Sequence, residues 1–261
     1  IANIDVQHKI IYPNLSSIKG FGEGTVNMLY QLGQNQYNNF IEVLTALYSN
    51  SINKTIVNQL IRIEYFSEYG GVYKLLQIAN YYDVLYGAKQ MSKEKITQFE
   101  LPVDLFQKYG HETAKQFNKL DSNSILQEMV NRVDDISLTT KEILDNQHDV
   151  LGIVSYVDEF MNKRYYYVHV LDIKKSVVKV TLYEIYSGKT RQVKMWTSNY
   201  NHLPFNETDI LYITKLEKKP KKEPTGEVDP NTGKKIYRPV PDKFEYWLSA
   251  YRIDNEVGEV L

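Results

Sequence analysis

Two stretches of the 261-residue chain carry residue types suited to holding a phosphate, and no stretch carries the set needed to break a bond. In Lys19-Gly20-Phe21-Gly22-Glu23-Gly24-Thr25, the glycines flanking Phe21 let the backbone turn while the ring drops into a core. A helix beginning there presents the amides of Gly22, Glu23 and Gly24, and unpaired N–H groups together with the helix dipole receive a phosphate oxygen. A plain tight connection between helices uses the same Gly-x-Gly spacing, so both readings stand. The second stretch, residues 163–200, has eight Lys or Arg against two acids and is rich in Tyr. Rings stack bases and lysines neutralise phosphates, a combination suited to a single strand; a solvated sheet face with aromatic pairs is the alternative.

Catalytic constellations are missing from the pattern. His8, His111, His148, His169 and His202 show neither metal-ligand nor triad spacing. With no Cys, disulfides, thiol catalysis and cysteine-ligated zinc are excluded. Asp134 and Asp135 are adjacent carboxylates, but consecutive residues at a helix end point apart, which favours a solvent turn over a metal site.

Helices must position the first stretch. Residues 15–31 read as the hairpin and second helix of a helix-hairpin-helix, with Ile18, Val26 and Leu29 apolar around the turn. Further helices follow, carrying Phe40, Val43, Leu44 and Leu47, then Ile56, Leu60 and Ile61. A second turn at residues 63–71 has the place of a paired hairpin, with Arg62 as its phosphate ligand. Residues 72–90 read as helix, and three more are expected over 98–146: one holding Leu105 and Phe106, one capped by Ser122 or Ser124, and one starting near Thr139. Residues 1–13 suggest one or two short strands closed by Pro13, a remnant of a preceding domain.

The period changes from helical to alternating at Val150, which sets a domain boundary at residue 147 and a strand at Val150-Leu151-Gly152-Ile153-Val154. Five main strands follow, with a hairpin turn at Ser187-Gly188-Lys189 and an irregular segment at 197–206. The outline is α+β: an all-α tandem helix-hairpin-helix domain over 14–146, then a five-stranded OB-like β-barrel over 147–261. Alternation puts Val168, Val170, Val178, Val180, Leu182, Val193 and Met195 inside. Tyr165, Tyr167, His169, Lys179, Thr181, Tyr183, Gln192, Lys194 and Trp196 then lie outside, and of these the Tyr, Lys and Trp residues, with Lys189 at the turn, are the candidate single-strand face. Residues 215–243 hold five of the eight prolines and nine Lys or Arg against five acids. They read as a long solvated loop, either gripping a single strand or merely solubilising the chain.

Net charge is −1, so any contact with nucleic acid must be local. No apolar run approaches the ~20 residues of a membrane span, and the first residues are not a signal peptide. A cytoplasmic setting is expected, and a start at Ile1 suggests a piece of something larger.

Three segments in order, Leu15-Ser16-Ser17-Ile18-Lys19-Gly20-Phe21-Gly22-Glu23, Gln59 through Gly70, and Gln147-His148-Asp149-Val150-Leu151-Gly152, resemble the C-terminal half of bacterial DNA polymerase III alpha subunits. The resemblance implies a tandem helix-hairpin-helix domain on duplex DNA, with Lys19 to Thr25 as the phosphate loop, and an OB domain near the single-stranded template. The family's catalytic palm lies upstream, so this chain is expected to bind primer-template DNA without transferring nucleotides. No cofactor is expected here, although the parent polymerase would need Mg2+. A protein-interaction role, docking to a sliding clamp or clamp loader, is the alternative; Gln98-Phe99-Glu100-Leu101-Pro102 and Leu105-Phe106 lie near the family's clamp peptide but do not fit it.

Overall fold

Side-chain caps set most helix starts in the first part of the chain. In the computed structural model, which describes residues 3–5, 10–12, 15–18 and 20–257, the chain divides into two compact units, Ile1–Leu138 and Thr139–Leu261. The first opens with the antiparallel pair β1 (Asn3–Asp5) and β2 (Ile10–Tyr12), as the sequence suggests; Pro13 lies outside the described residues. A 3-10 turn (Leu15–Ser17) precedes α1 (Glu23–Leu32), α2 (Phe40–Ser49) and α3 (Lys54–Arg62). After a second 3-10 turn (Ser67–Tyr69) come α4 (Val72–Leu85), β3 (Gln90–Ser92), α5 (Lys93–Gln98) and α6 (Val103–Tyr109). The unit closes with β4 (His111–Glu112), β5 (Gln116–Asn118) and α7 (Ser122–Arg132).

Asn39, Asn53, Ser92 and Asp121 each accept a backbone N–H at the start of α2, α3, α5 and α7, satisfying donors that the first turn leaves orphaned. The cap of α7 is therefore Asp121, not Ser122 or Ser124. Nor is the unit all-α, since β3, β5 and β4 form a three-stranded antiparallel sheet. Strands of two or three residues are too short for alternation to reveal.

The second unit starts with α8 (Thr140–Leu151), which has a full capping box between Thr139 and Glu142 and ends at Gly152 in the left-handed conformation. Val150 and Leu151 are thus the last turn of a helix, and the boundary falls ahead of residue 147. A short apolar stretch fits a buried helix end as well as a strand, and the glycine decides between them. Then come β6 (Tyr165–Ile173), β7 (Val177–Glu184), β8 (Lys189–Trp196), α9 (Thr197–His202), β9 (Ile210–Val228) and β10 (Lys235–Ile253). The expected irregular segment is a helix in its first half. The sheet runs β10-β8-β7-β6-β9 and closes on itself, because β9 also pairs with β10. Every pairing is antiparallel except β8 with β10.

Residues 215–243 are not a loop. β9 and β10, nineteen residues each, continue beyond the closed part as a two-stranded ribbon. A bulge absorbs residues between Pro239 and Phe244, and Asp229 closes the tip by accepting the amides of Asn231 and Thr232. Prolines are confined to edges and bulges of sheets, conditions that a two-stranded ribbon meets.

Two apolar clusters hold this unit together. The inner one joins Val168, Val178, Val180, Leu182, Val193, Met195, Leu211 and Leu248 inside the closed sheet. The outer one joins Leu144 of α8 to Tyr167, Tyr183, Ile185 and Ile210, with Val154, Tyr156 and Met161 from the segment after the helix. Among the described residues, no helix is long and apolar enough to cross a membrane.

Candidate nucleic-acid interface

At the first hairpin, Phe21 and Ile18 are buried and Gly20 has φ +91°, a left-handed turn that favours glycine. Gly22 is extended (φ −76°, ψ 163°) and caps α1 through its backbone alone. Gly20 alone therefore needs the freedom that the sequence assigned to both. The Val26 amide bonds back to the Gly22 carbonyl, so Glu23, Gly24 and Thr25 form the first turn, whose N–H groups lack intrahelical acceptors. The three-residue 3-10 turn ahead of it is shorter than the first helix of a helix-hairpin-helix. Lys19 lies outside the described residues.

The second hairpin is different. Its α4 also starts from a glycine cap, Gly71, but there the amide donates to Asp135 Oδ1 at 2.9 Å. A Cβ on Gly71 would stand 2.5 Å from that oxygen. Asp134 and Asp135 are exposed after the end of α7, as expected, and Asp135 is in addition the anion at this helix start. Arg62 ends α3, half-buried.

In the second unit the outward rings divide. Tyr167 and Tyr183 leave the inner core as alternation requires, yet α8 and the segment after it cover them, and both are fully buried. The Tyr167 hydroxyl donates to Asp145 Oδ1 at 3.0 Å and that of Tyr183 to the Tyr156 carbonyl at 2.9 Å. Burial pushes both hydroxyls up, that of Tyr183 to about 12, so both stay protonated donors. Tyr165 packs beside them, 5.0 Å from the Tyr212 ring, and donates to Asp254. These three rings hold the outer core, and burial leaves Tyr167 and Tyr183 no face for a nucleic acid, contrary to the expectation from alternation. A register shift between Val168 and Val170 moves Val170 outward, 44% exposed, where unbroken alternation would bury it.

Lys179 and Lys194 come together with Gln192, expected on the same face, and with residues the sequence did not single out. They line a groove of about 450 Å³ with Lys221 of β9, Gln192 of β8, and Phe244, Glu245 and Tyr246 of β10. Phe244 is half-exposed, with Lys218 Nζ 4.1 Å from its ring centroid; Arg191 lies 4.7 Å over Tyr246. Lys194 is not free: it pairs with Glu245, whose other oxygen accepts the Trp247 indole N–H at 2.7 Å. Burial pushes the Glu245 carboxyl up, but the bonds from Lys194 and Trp247 outweigh it and hold the group below the usual carboxylate range. Trp196, half-exposed, packs 4.6 Å from Trp247. Lys189 is exposed at the start of β8, opposite Glu184 and off the groove. The signal for the missed residues was the alternation of Phe244 and Tyr246 with Glu245 and Trp247, obscured because the proline-rich run before it read as loop.

The described residues contain no group of three or more His, Cys, Asp or Glu placed to hold a metal. Comparison with protein-family models, with curated proteins and with solved structures gives no match for this chain.

Proposed function

We propose that the chain binds nucleic acid, holding a single strand in the groove of its second unit. The observation that carries this reading is the groove itself, lined by Lys179, Lys194 and Lys221 together with half-exposed Phe244 and half-buried Tyr246. Lys194 and Lys221 are paired with Glu245 and Glu223, so phosphate contact falls first to Lys179, and rings accept any base by stacking. The sheet supports an OB reading: its strands, numbered within the sheet, run 1-2-3-5-4 and close, the third lies parallel to the fifth, and a helix joins the third to the fourth. OB folds bind oligonucleotides on strands 2 and 3 and on the loop between strands 4 and 5, the positions of β7, β8 and the ribbon.

Within that reading, the chain is the DNA-binding C-terminal part of a replicative polymerase related to DNA polymerase III alpha subunits. That assignment rests on the order of the three sequence segments. Duplex contact would fall to the first hairpin and not the second, whose helix start is taken by Asp135. Mg2+ would belong to the catalytic part of the parent enzyme.

Anisotropy titration of labelled single-stranded and blunt duplex DNA tests the proposal. The wild type binds the single strand, and replacing Phe244 and Trp247 together by Ala removes most of that affinity while the fold persists. Equal binding by the double variant overturns the groove assignment. Affinity for a purified clamp with none for DNA would instead favour the docking role.

A further inference from the structure

Two carboxylates line the groove beside its three lysines, Asp172, paired with Lys174, and Glu245, and a carboxylate there is a liability for phosphate binding unless it does something a lysine cannot. Glu245 lines the groove, 20% exposed, with Lys194 on one oxygen and the Trp247 indole on the other. The two partners fix its plane, and Lys194 cancels its charge, so the passing backbone is not repelled. An ionised carboxylate offers about four acceptor sites and no donor. Two are used, and two remain on a side chain that faces the groove. Its lowered pKa keeps it in that acceptor-only form at neutral pH.

Bases differ in what they present to an acceptor. Cytosine and adenine carry exocyclic amines that donate, whereas thymine and uracil carry carbonyls at the matching positions. A groove built only of rings and lysines would be indifferent to this. We infer that Glu245 reads base edges, so that the groove prefers single strands bearing exocyclic amines over thymine or uracil strands. Trp247, which shares the Glu245 face of β10 and bonds to it, and Trp196 next to it would supply the ring faces on which such a base rests while its edge meets the carboxylate. The inference rests on the single-strand reading of the groove.

The test compares oligo(dC) with oligo(dT), each of about 12 nucleotides, on the full chain at mildly alkaline pH, where cytosine is unprotonated. These bases share a ring size, so stacking changes little and the amine-for-carbonyl exchange dominates. The wild type should hold oligo(dC) about tenfold more tightly. Glu245→Gln, whose amide both donates and accepts, should bring the two within about twofold. A ligand-side control avoids any folding defect: with the wild type, a strand of N4,N4-dimethylcytosine should fall to the thymine level. Equal or tighter binding of oligo(dT) by the wild type overturns the inference while leaving the groove in place, as does a preference that survives Glu245→Gln. Failure of both strands to bind the wild type overturns the groove reading and this inference with it.

Discussion

Tyr167 shows how a correctly assigned direction can still mislead. Its ring points away from the inner core, as alternation requires, but the space it enters is filled by α8 and not by water. Truncation should therefore act on stability: Tyr167→Ala should cost about 3 to 5 kcal/mol, the range for emptying a buried aromatic site. Tyr167→Phe should cost about 1 to 2 kcal/mol, because Asp145 loses a donor but keeps Lys141 at 2.7 Å. Denaturant titration measures both, and a Tyr167→Ala protein of undiminished stability would show that the outer core is not packed. Trp247 and Phe244 belong to the opposite class. Each, replaced by Ala, should weaken single-strand binding by about 1 to 3 kcal/mol, the worth of one stacked base; Phe244→Ala should leave melting nearly unchanged, whereas Trp247→Ala also gives up its contacts with Trp196 and Glu245.

Glycines make a similar contrast. Open space surrounds Gly24, so Gly24→Ala should stabilise α1 by up to about 1 kcal/mol through helix propensity. Gly71→Ala should destabilise, since its Cβ would meet the Asp135 carboxylate.

At the scale of elements, α2, α3, the start of α8 and the inward residues of β7 and β8 were legible, whereas short α5 and the cap of α7 were not. What alternation could not carry was β6 meeting α8, because packing between distant segments leaves no local period. The ribbon was illegible for another reason: proline and charge mark loops and edge strands alike. A pH effect follows from the α8–β6 contact. His148 Nε2 lies 3.3 Å from the His169 carbonyl, and the two rings meet edge-on at 5.3 Å. His169 Nδ1 is buried with no hydrogen-bond partner. Burial first, then the neighbouring His148, pushes the His169 pKa below its ordinary value, while Glu207 opposes them. Because the folded-state pKa is depressed, this contribution to stability is intact above the unfolded value of about 6.5 and is lost as pH falls below it. The melting temperature should drop through that window, and His169→Gln should flatten the drop. A slope unchanged in the variant would assign it to other groups.

Across the whole molecule, the net charge of −1 conceals a division of labour. Cations gather on the strands and ribbon of the second unit, several neutralised in place: Lys215 and Lys219 by Glu217, Lys221 by Glu223, Arg238 by Glu227. Salt dependence should therefore be smaller than a count of lysines suggests. Lys179→Met should lower the slope of log K against log salt by about 0.7, one single-strand phosphate contact. The chain's only two tryptophans, Trp196 and Trp247, pack against each other, tilted by 40°, beside Lys194 of the groove, so intrinsic fluorescence reports on the proposed site without a label. Titration with an unlabelled single strand of mixed sequence is the most direct test: the account predicts saturable quenching that reverses as salt is raised. Fluorescence that stays constant while the strand is bound elsewhere, or no binding at low salt, would contradict it.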